Sequence, residues 1–149
     1  MPKTYRHEAF IPLPPACVFA VLTDIAHWPD WDLDLVATRY DGETLRAGSR
    51  FSITPKGAGP VAMRVAALEA PTLFVDQASL PLASIHGVHR LLPTEGGTRL
   101  IHEVTTTGLL AFLWDRIVTR NIGAGLAVQA ARLRDYAVGI SSTSKSGPP

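Results

Sequence analysis

The sequence predicts an α+β domain in which seven antiparallel strands form a curved sheet and a long C-terminal helix packs across it. Three observations support this fold class. A β-rich stretch is followed at once by a proline pair and two short helical segments; six further β-rich runs are separated by turns; and residues 109–138 return to a helical period. The length of 149 residues fits one such domain with one hydrophobic core.

The first strand is predicted over residues 4–13, and Pro14 and Pro15 end it. Because proline fixes φ and fits the first turn of a helix, this pair also begins a short helix over residues 15–23. Pro29 excludes a long regular helix through residues 25–35. We therefore expect a second short helix or helical turn there, and the two short helices would close one end of the sheet.

Six more strands follow these helices. Each β-rich run ends at a turn signal that contains Gly or Pro. The connections are too short for crossover helices, so neighbouring strands must pair antiparallel. The predicted strands are 36–40, 49–55, 61–68, 73–80, 85–92 and 98–107.

A single long helix is predicted over residues 109–138, because its apolar residues recur every three or four positions and form one stripe. At about 1.5 Å per residue this helix is roughly 40 Å long, enough to cross a whole sheet. A straight helix and a curved sheet do not touch everywhere, so we expect a cavity between them. The stripe consists of Trp114, Val118, Ile122, Leu126, Ala130, Leu133 and Ala137, and Leu110, Leu113 and Ile117 widen it at the start.

Two features qualify this helix. Gly123 and Gly125 are unusual in a helix interior, and they indicate either a bend or a point where the sheet or a ligand approaches the backbone. Beyond residue 138 the chain is rich in Ser, Thr, Gly and Pro, which bury too little apolar surface to become ordered. The predicted domain is therefore 1–138, followed by a disordered tail at 139–149.

Composition and charge exclude several classes of partner. The net charge is +1 and the basic residues are spread along the chain, so we expect no nucleic acid partner and no general attraction to an anionic membrane. Neither a membrane-spanning stretch nor a signal-peptide pattern is present, so integral membrane association is not expected. The single cysteine, Cys17, lies in an apolar run, where we expect it to be buried. These features favour a cytoplasmic protein that is a monomer or a homodimer.

Two histidines are predicted to face each other on the inner face of the sheet. If residues 94–97 form a hairpin turn, His89 lies opposite His102. Two imidazoles there could bind a ligand carbonyl or act as an acid–base pair. The alternative is that both are core histidines whose polar atoms are satisfied within the protein. The flanking pairs, which identify this face as apolar, are Leu91 with Leu100 and Gly87 with Val104.

The same register places His86 on the outer face. No metal site is expected, because no third ligand lies at a suitable spacing from the two histidines. Asp76 shares the inner face with Phe74 if that phenylalanine points inwards. A buried carboxylate needs a partner, which Arg64 or Arg90 could supply. In the opposite register Asp76 would simply be solvated.

Aromatic residues complete the candidate ligand site. Trp28 and Trp31 are three positions apart and could cap the mouth of the cavity or stack on a flat ligand. The alternative is that they pack in the core at a helix junction. Three residues from the start of the helix stripe are also candidates for the lining: Trp114, Val118 and Ile122.

Four features of the sequence resemble one known superfamily. They are the segment 14–24 followed by Trp-Pro-Asp-Trp at 28–31, the segment 89–93 leading to Gly-Gly-Thr-Arg-Leu at 96–100, Gly-Leu-Leu at 108–110, and the order of elements. On these features residues 4–138 resemble the START-like helix-grip superfamily (SRPBCC). It includes START lipid-transfer domains, birch-pollen-type allergens and bacterial polyketide cyclase/dehydrase-like proteins. The resemblance implies a helix-grip fold but no catalytic set, because members bind or process unrelated ligands.

Three functions fit these observations. The leading hypothesis is the binding of a small hydrophobic or aromatic molecule between the sheet and the C-terminal helix, without a cofactor. The second is a polyketide cyclase or dehydratase-type enzyme that uses His89 and His102 as acid–base groups. The third is a protein-interaction module that uses the outer sheet face or the two tryptophans and takes no small ligand.

Overall fold

A computed structural model of the chain describes residues 3–42 and 44–145. The described residues contain seven strands, at or close to the predicted positions. These are β1 (Thr4–Ile11), β2 (Leu35–Arg39), β3 (Arg50–Pro55), β4 (Val61–Glu69), β5 (Leu73–Leu80), β6 (Ala83–Thr94) and β7 (Gly97–Thr107). They form one antiparallel sheet in the order β1-β7-β6-β5-β4-β3-β2, which confirms the predicted fold class.

Helices occupy the two predicted places. Between β1 and β2 the chain forms α1 (Pro15–Leu22), which has Pro15 in its first turn, and a 3-10 helix (Ile25–Asp30). After β7 the chain is helical as far as Lys145, in consecutive segments. These are α2 (Ala111–Trp114), a π-helix (Asp115–Thr119), α3 (Arg120–Ala124) and α4 (Leu126–Lys145).

The first and last strands lie side by side in the sheet. β1 pairs with β7 along its whole length, from Thr4 opposite Thr105 to Ile11 opposite Thr98. The helix α4 packs mainly against β1 and α1, and the π-helix packs against β7. Across the described residues α4 makes no comparably close contact with β4 or β5. Helix and sheet therefore diverge away from β1, as a straight helix on a curved sheet must.

The predicted apolar stripe is confirmed in α4 and altered before it. In a π-helix each hydrogen bond spans five residues, which changes the residues that face the sheet. Thr119 is fully buried, its neighbour Val118 is only partly buried, and Ile122 is exposed. The buried residues of α4 are those predicted: Leu126, Ala130, Leu133 and Ala137.

The two helix glycines have different roles. A Cβ atom at Gly123 would collide with the Tyr5 ring of β1, so this glycine permits close approach of the sheet. Gly125 separates α3 from α4, and its N–H donates to the carbonyl oxygens of Asn121 and Ile122 at 3.2 and 3.0 Å. The predicted close approach of the sheet therefore holds for Gly123, whereas Gly125 marks an interruption of the helix.

Two expectations differ from the structure. Residues 139–145 continue α4, because they extend a helix already anchored through Ala137, so the expected disorder does not hold for them. Residues 146–149 lie outside the described part of the chain. Cys17 is exposed instead of buried, because α1 turns Val18, Phe19 and Leu22 towards the core.

Candidate functional site

The predicted register of the β6–β7 hairpin is confirmed. His89 lies opposite His102, and the turn joins Thr94 to Gly97. Both imidazoles point to the inner face and are buried, with 7% and 8% of their surface exposed. His86 lies on the other face, as predicted, where Nε2 is 3.1 Å from Thr107 Oγ1. The flanking inner-face pairs are also those predicted: Gly87 with Val104 and Leu91 with Leu100.

A third histidine joins this row across the sheet. His7 of β1 lies opposite His102, on the side away from His89. On the far side of His89, the same row continues into Phe74 of β5. The sequence does not predict His7 here, because its place depends on the register between β1 and β7, which share no turn. Strand alternation puts His7 on the same side of β1 as Ile11. This alternation could have predicted His7 beside His102 only if the pairing of β1 with β7 had been known.

The two central imidazoles are held in a defined arrangement. Their ring centroids are 4.0 Å apart, with 29° between the ring planes. His89 Nδ1 lies 3.1 Å from the backbone carbonyl oxygen of Phe74. Since a carbonyl oxygen only accepts, Nδ1 carries the proton and donates it. The lone pair of the neutral ring is then on Nε2, which is left to accept a hydrogen bond or a proton.

Burial keeps these rings uncharged at neutral pH. It lowers the pKa of His89 to about 4, although the hydrogen bond to the Phe74 carbonyl acts in the opposite direction. The pKa of His102 lies well below its usual value, first because of burial and then because of the neighbouring His89 and His7. Within the described residues no group of three or more His, Cys, Asp or Glu side chains is arranged to hold a metal ion.

Asp76 belongs to the same inner surface. It lies opposite Gly87, one inner-face position along the strands from Phe74 and His89. A Cβ atom at residue 87 would be 2.5 Å from Asp76 Oδ1, so the carboxyl group occupies the space that the glycine leaves. Burial raises the pKa of Asp76 to about 7, and a hydrogen bond from the Gly87 backbone opposes this only in part.

The partner expected for Asp76 is not there. Arg64 lies opposite Gln77 and Arg90 lies opposite Ile101, and both arginines are exposed on the outer face. Neither can neutralise an inner-face carboxylate, because side chains alternate between the two faces of a strand. No ion pair of Asp76 is found among the described residues. With a pKa of about 7, Asp76 is protonated at slightly acidic pH, and a protonated carboxyl can donate a hydrogen bond.

Both tryptophans pack in the core, which is the alternative that the sequence left open. Trp28 packs edge-on against Phe51 and Phe74, with ring centroids 5.5 and 6.2 Å away. Its indole N–H donates to the Leu22 carbonyl oxygen at 2.9 Å. Trp31 is also buried. Through Phe74, whose ring is 5.5 Å from His89, Trp28 supports the histidine row from behind.

The three candidate lining residues on the long helix differ in their surroundings. Val118 is partly buried against the core, and Ile122 is exposed. Trp114 is partly exposed, and its indole N–H donates to the Pro81 carbonyl oxygen at 2.9 Å. Trp114 therefore ties the start of the helix to the turn between β5 and β6. Of the three, only Val118 packs against the core.

Two polar contacts hold the π-helix on the sheet. Thr106 of β7 and Thr119 form a buried hydrogen bond, and the Tyr5 hydroxyl donates to Asp115 at 3.2 Å. Beside them lies a cleft of about 450 Å³, whose lining includes Lys3, Thr106, Leu109 and Phe112. A separate cleft of about 830 Å³ lies around residues 39–52, away from the histidine row.

Comparisons with known proteins agree with this architecture. The family described as "Polyketide cyclase / dehydrase and lipid transport" matches residues 3–137. Among curated protein sequences no significant match was found.

Several solved structures share the fold at low sequence identity. The di-domain ARO/CYC StfQ from the steffimycin biosynthetic pathway has a TM-score of 0.77 and 14% identity, over 95% of this chain and 52% of that one. A point mutant of norcoclaurine synthase from Thalictrum has a TM-score of 0.72 and 14% identity, over 95% and 97% of the two chains. Ara h 8.0201 has a TM-score of 0.71 and 15% identity, over 93% and 99%.

Proposed function

Because the chain belongs to the polyketide cyclase/dehydrase and lipid transport family, we propose that it binds a small hydrophobic or aromatic molecule between the concave sheet and the C-terminal helix. The observation that carries this proposal is the composition of the inner face. Among the described residues it is apolar except for a few buried or partly buried polar groups, and none of the ion pairs lies on it. Ligand sites are built in this way, since apolar surface supplies affinity and a few polar atoms fix orientation.

The polar groups indicate what kind of molecule fits. His89 Nε2 is an acceptor, and the protonated Asp76 carboxyl is a donor. Diagonal neighbours of this kind lie about 7–8 Å apart in a sheet, so one small molecule can reach both. An uncharged ligand with a carbonyl and a hydroxyl group complements these two atoms. A carboxylate ligand would find no positive charge on His89 or His102, because burial keeps both rings neutral.

A matched pair of histidine variants tests the proposal. Hydrophobic-dye displacement and native mass spectrometry would be applied to the wild type, His89→Ala and His86→Ala. We expect a bound or displaceable apolar molecule, with affinity reduced by about tenfold in His89→Ala because a hydrogen bond to the ligand is lost. His86 lies on the same strand but on the outer face, so His86→Ala should bind like the wild type. If no ligand is detected, or if the two variants weaken binding equally, the proposal is wrong.

The second candidate is an enzyme of the cyclase or dehydratase type, and the tautomer of His89 favours it. His89 Nε2 would take a proton from the carbon beside a ligand carbonyl, with His102 stacked beside it as the second acid–base group. The electron pair of the broken C–H bond would form a C=C bond while the carbonyl π electrons move to the oxygen, and the resulting enolate oxygen would accept a hydrogen bond from protonated Asp76. Proton exchange of a β-diketone into D₂O, followed by NMR, tests this step. Wild-type rates in the double variant His89→Ala/His102→Ala would exclude these roles.

A further inference from the structure

The first turns of the C-terminal helical region are apolar on two faces. One face packs on the sheet through Val118 and Thr119. The other side is exposed: Leu109, in the turn before α2, is followed by Phe112 and Leu113 of α2 and by Ile117 of the π-helix. Leu109 and Phe112 are 78% and 73% exposed, and Leu113 and Ile117 are also exposed. The solvent-facing side of a surface helix normally carries polar residues. An apolar solvent-facing side therefore indicates a binding surface for another molecule.

Leu82, in the turn between β5 and β6, extends this exposed surface. The Leu110 N–H donates to the Leu82 carbonyl oxygen at 3.0 Å, so the turn lies against the start of the helix. Leu82 has φ = 56°, in the left-handed region where a leucine is strained and glycine or asparagine is usual. Its side chain is 63% exposed, so packing inside the domain does not compensate for that strain. We name the surface formed by Leu82, Leu109, Phe112, Leu113 and Ile117 the apolar rim.

The charges beside the apolar rim are positive. Arg116 and Arg120 are exposed on the same side of the helix, and within the described residues neither has an ion-pair partner. Asp115 is the single acid between Glu103 and Asp135, and it accepts the hydrogen bond from Tyr5. The net charge of +1 for the whole chain therefore conceals a local excess of positive charge here.

We propose that the apolar rim docks on the surface of an anionic lipid bilayer. Leucine, isoleucine and phenylalanine side chains flanked by arginines are the composition of interfacial helices, whose apolar side enters the lipid boundary while the cations meet anionic headgroups. None of the helices in the described residues is long and apolar enough to cross a membrane, so the contact is peripheral.

Docking in this way would face one cleft towards the membrane. The cleft of about 450 Å³ has Leu109 and Phe112 on its rim, and it is also lined by Thr106, whose side chain is buried against Thr119. Docking does not rest on the proposed function.

Co-sedimentation with vesicles tests the docking. Wild-type protein would be mixed with vesicles of phosphatidylcholine alone or of phosphatidylcholine with an equal amount of phosphatidylglycerol. We expect binding to the anionic vesicles that weakens as salt is added. Leu109→Ser/Phe112→Ser should weaken it by about tenfold or more, and Arg116→Glu/Arg120→Glu should weaken it on anionic vesicles. The control Val36→Ser/Val128→Ser removes two exposed apolar residues elsewhere and should bind like the wild type.

Three results would overturn the proposal. They are no binding to anionic vesicles, equal binding by the Leu109→Ser/Phe112→Ser variant, and a concentration-dependent dimer in light scattering that this variant abolishes while vesicles remain unbound. The last result would assign the apolar rim to a second copy of the chain.

Dye displacement on the same variants separates the docking proposal from the ligand-binding proposal. A rim variant that binds dye normally but not vesicles supports docking, whereas loss of dye binding in His89→Ala concerns the ligand site alone.

Discussion

At the scale of single residues, the ionisable groups on the inner face favour their uncharged forms, because a neutral group costs less free energy to bury than a charged one. His89 and His102 are neutral, and Asp76 favours its protonated form. Gly87 is part of this arrangement, because its missing side chain makes room for the Asp76 carboxyl. His89 Nε2 and the protonated Asp76 carboxyl therefore supply an acceptor and a donor without formal charge at slightly acidic pH.

Asp76→Asn should change how stability depends on pH. The pKa of Asp76 is raised from 3.8 to about 7 in the folded state, so its folded form binds a proton that the unfolded chain has lost. Stability from this group is complete below pH 4 and is lost as pH rises to 7. Asparagine removes that loss, so we expect roughly 2–4 kcal/mol of stabilisation at pH 8 and little change at pH 4. Urea unfolding at both pH values measures the difference.

The buried histidines change the stability of the fold with pH in the opposite direction to Asp76 over part of the range from pH 4 to 7. The pKa of His89 is depressed to about 4, so its contribution is complete above pH 6.5 and is lost as pH falls towards 4. In the wild type the two trends partly cancel between pH 4 and 6.5. Asp76→Asn should therefore be more sensitive to acid than the wild type over this interval. A stabilisation by Asp76→Asn that is equal at pH 4 and pH 8 would contradict the raised pKa.

At the scale of elements, the helical region is set by the π-helix and two glycines. The π-helix changes the residues that face the sheet, so Thr119 is buried and Ile117 and Ile122 are exposed. Gly123 then brings the helix close to Tyr5, whose hydroxyl is bound to Asp115. Of the apolar rim, Ile117 lies in the π-helix, so its exposure follows from this geometry.

Gly123→Ala and Gly125→Ala form a matched pair. Both replacements raise helix propensity by about 1 kcal/mol, so propensity alone predicts equal stabilisation. At Gly123 the added methyl group collides with the Tyr5 ring, and we expect a net loss of about 1–3 kcal/mol. At Gly125 the nearest atoms to an added Cβ are 3.6 Å away, so a gain of about 0.5–1 kcal/mol is expected. Thermal unfolding of both variants checks this, and equal shifts in Tm would refute the role given to Tyr5.

At the scale of the whole molecule, the sheet pairs the first strand of the chain, β1, with the last strand, β7. Thr4 pairs with Thr105 and Ile11 pairs with Thr98, so β1 becomes ordered only when β7 is present. The histidine row crosses this junction, because His7 lies in β1 and His102 in β7. The candidate site is therefore complete only in the fully folded domain.

Refolding should be correspondingly slow. Before two strands that are distant in sequence can pair, the chain between them must close into a loop. This closure costs conformational entropy before any contact compensates for it. We expect refolding on the millisecond-to-second timescale, and Ile11→Ala, in the fully buried end of β1, should mainly slow refolding, because it weakens the β1–β7 pairing that limits the reaction. Stopped-flow fluorescence of the buried tryptophans measures both rates. Microsecond refolding would show that β1–β7 pairing does not limit the reaction.

Much of the architecture is determined by the sequence alone. Proline and glycine positions, two-residue alternation and the helical period are local properties, so they predict the seven strands, the two short helices, the long helix and the His89–His102 register. The family resemblance follows from the same local patterns. Only the tertiary structure decides which distant elements meet. It places His7 beside His102, turns Arg64 and Arg90 away from Asp76, and exposes Cys17 and Ile122. These outcomes depend on non-local register, on the π-helix and on burial, which no short segment specifies by itself.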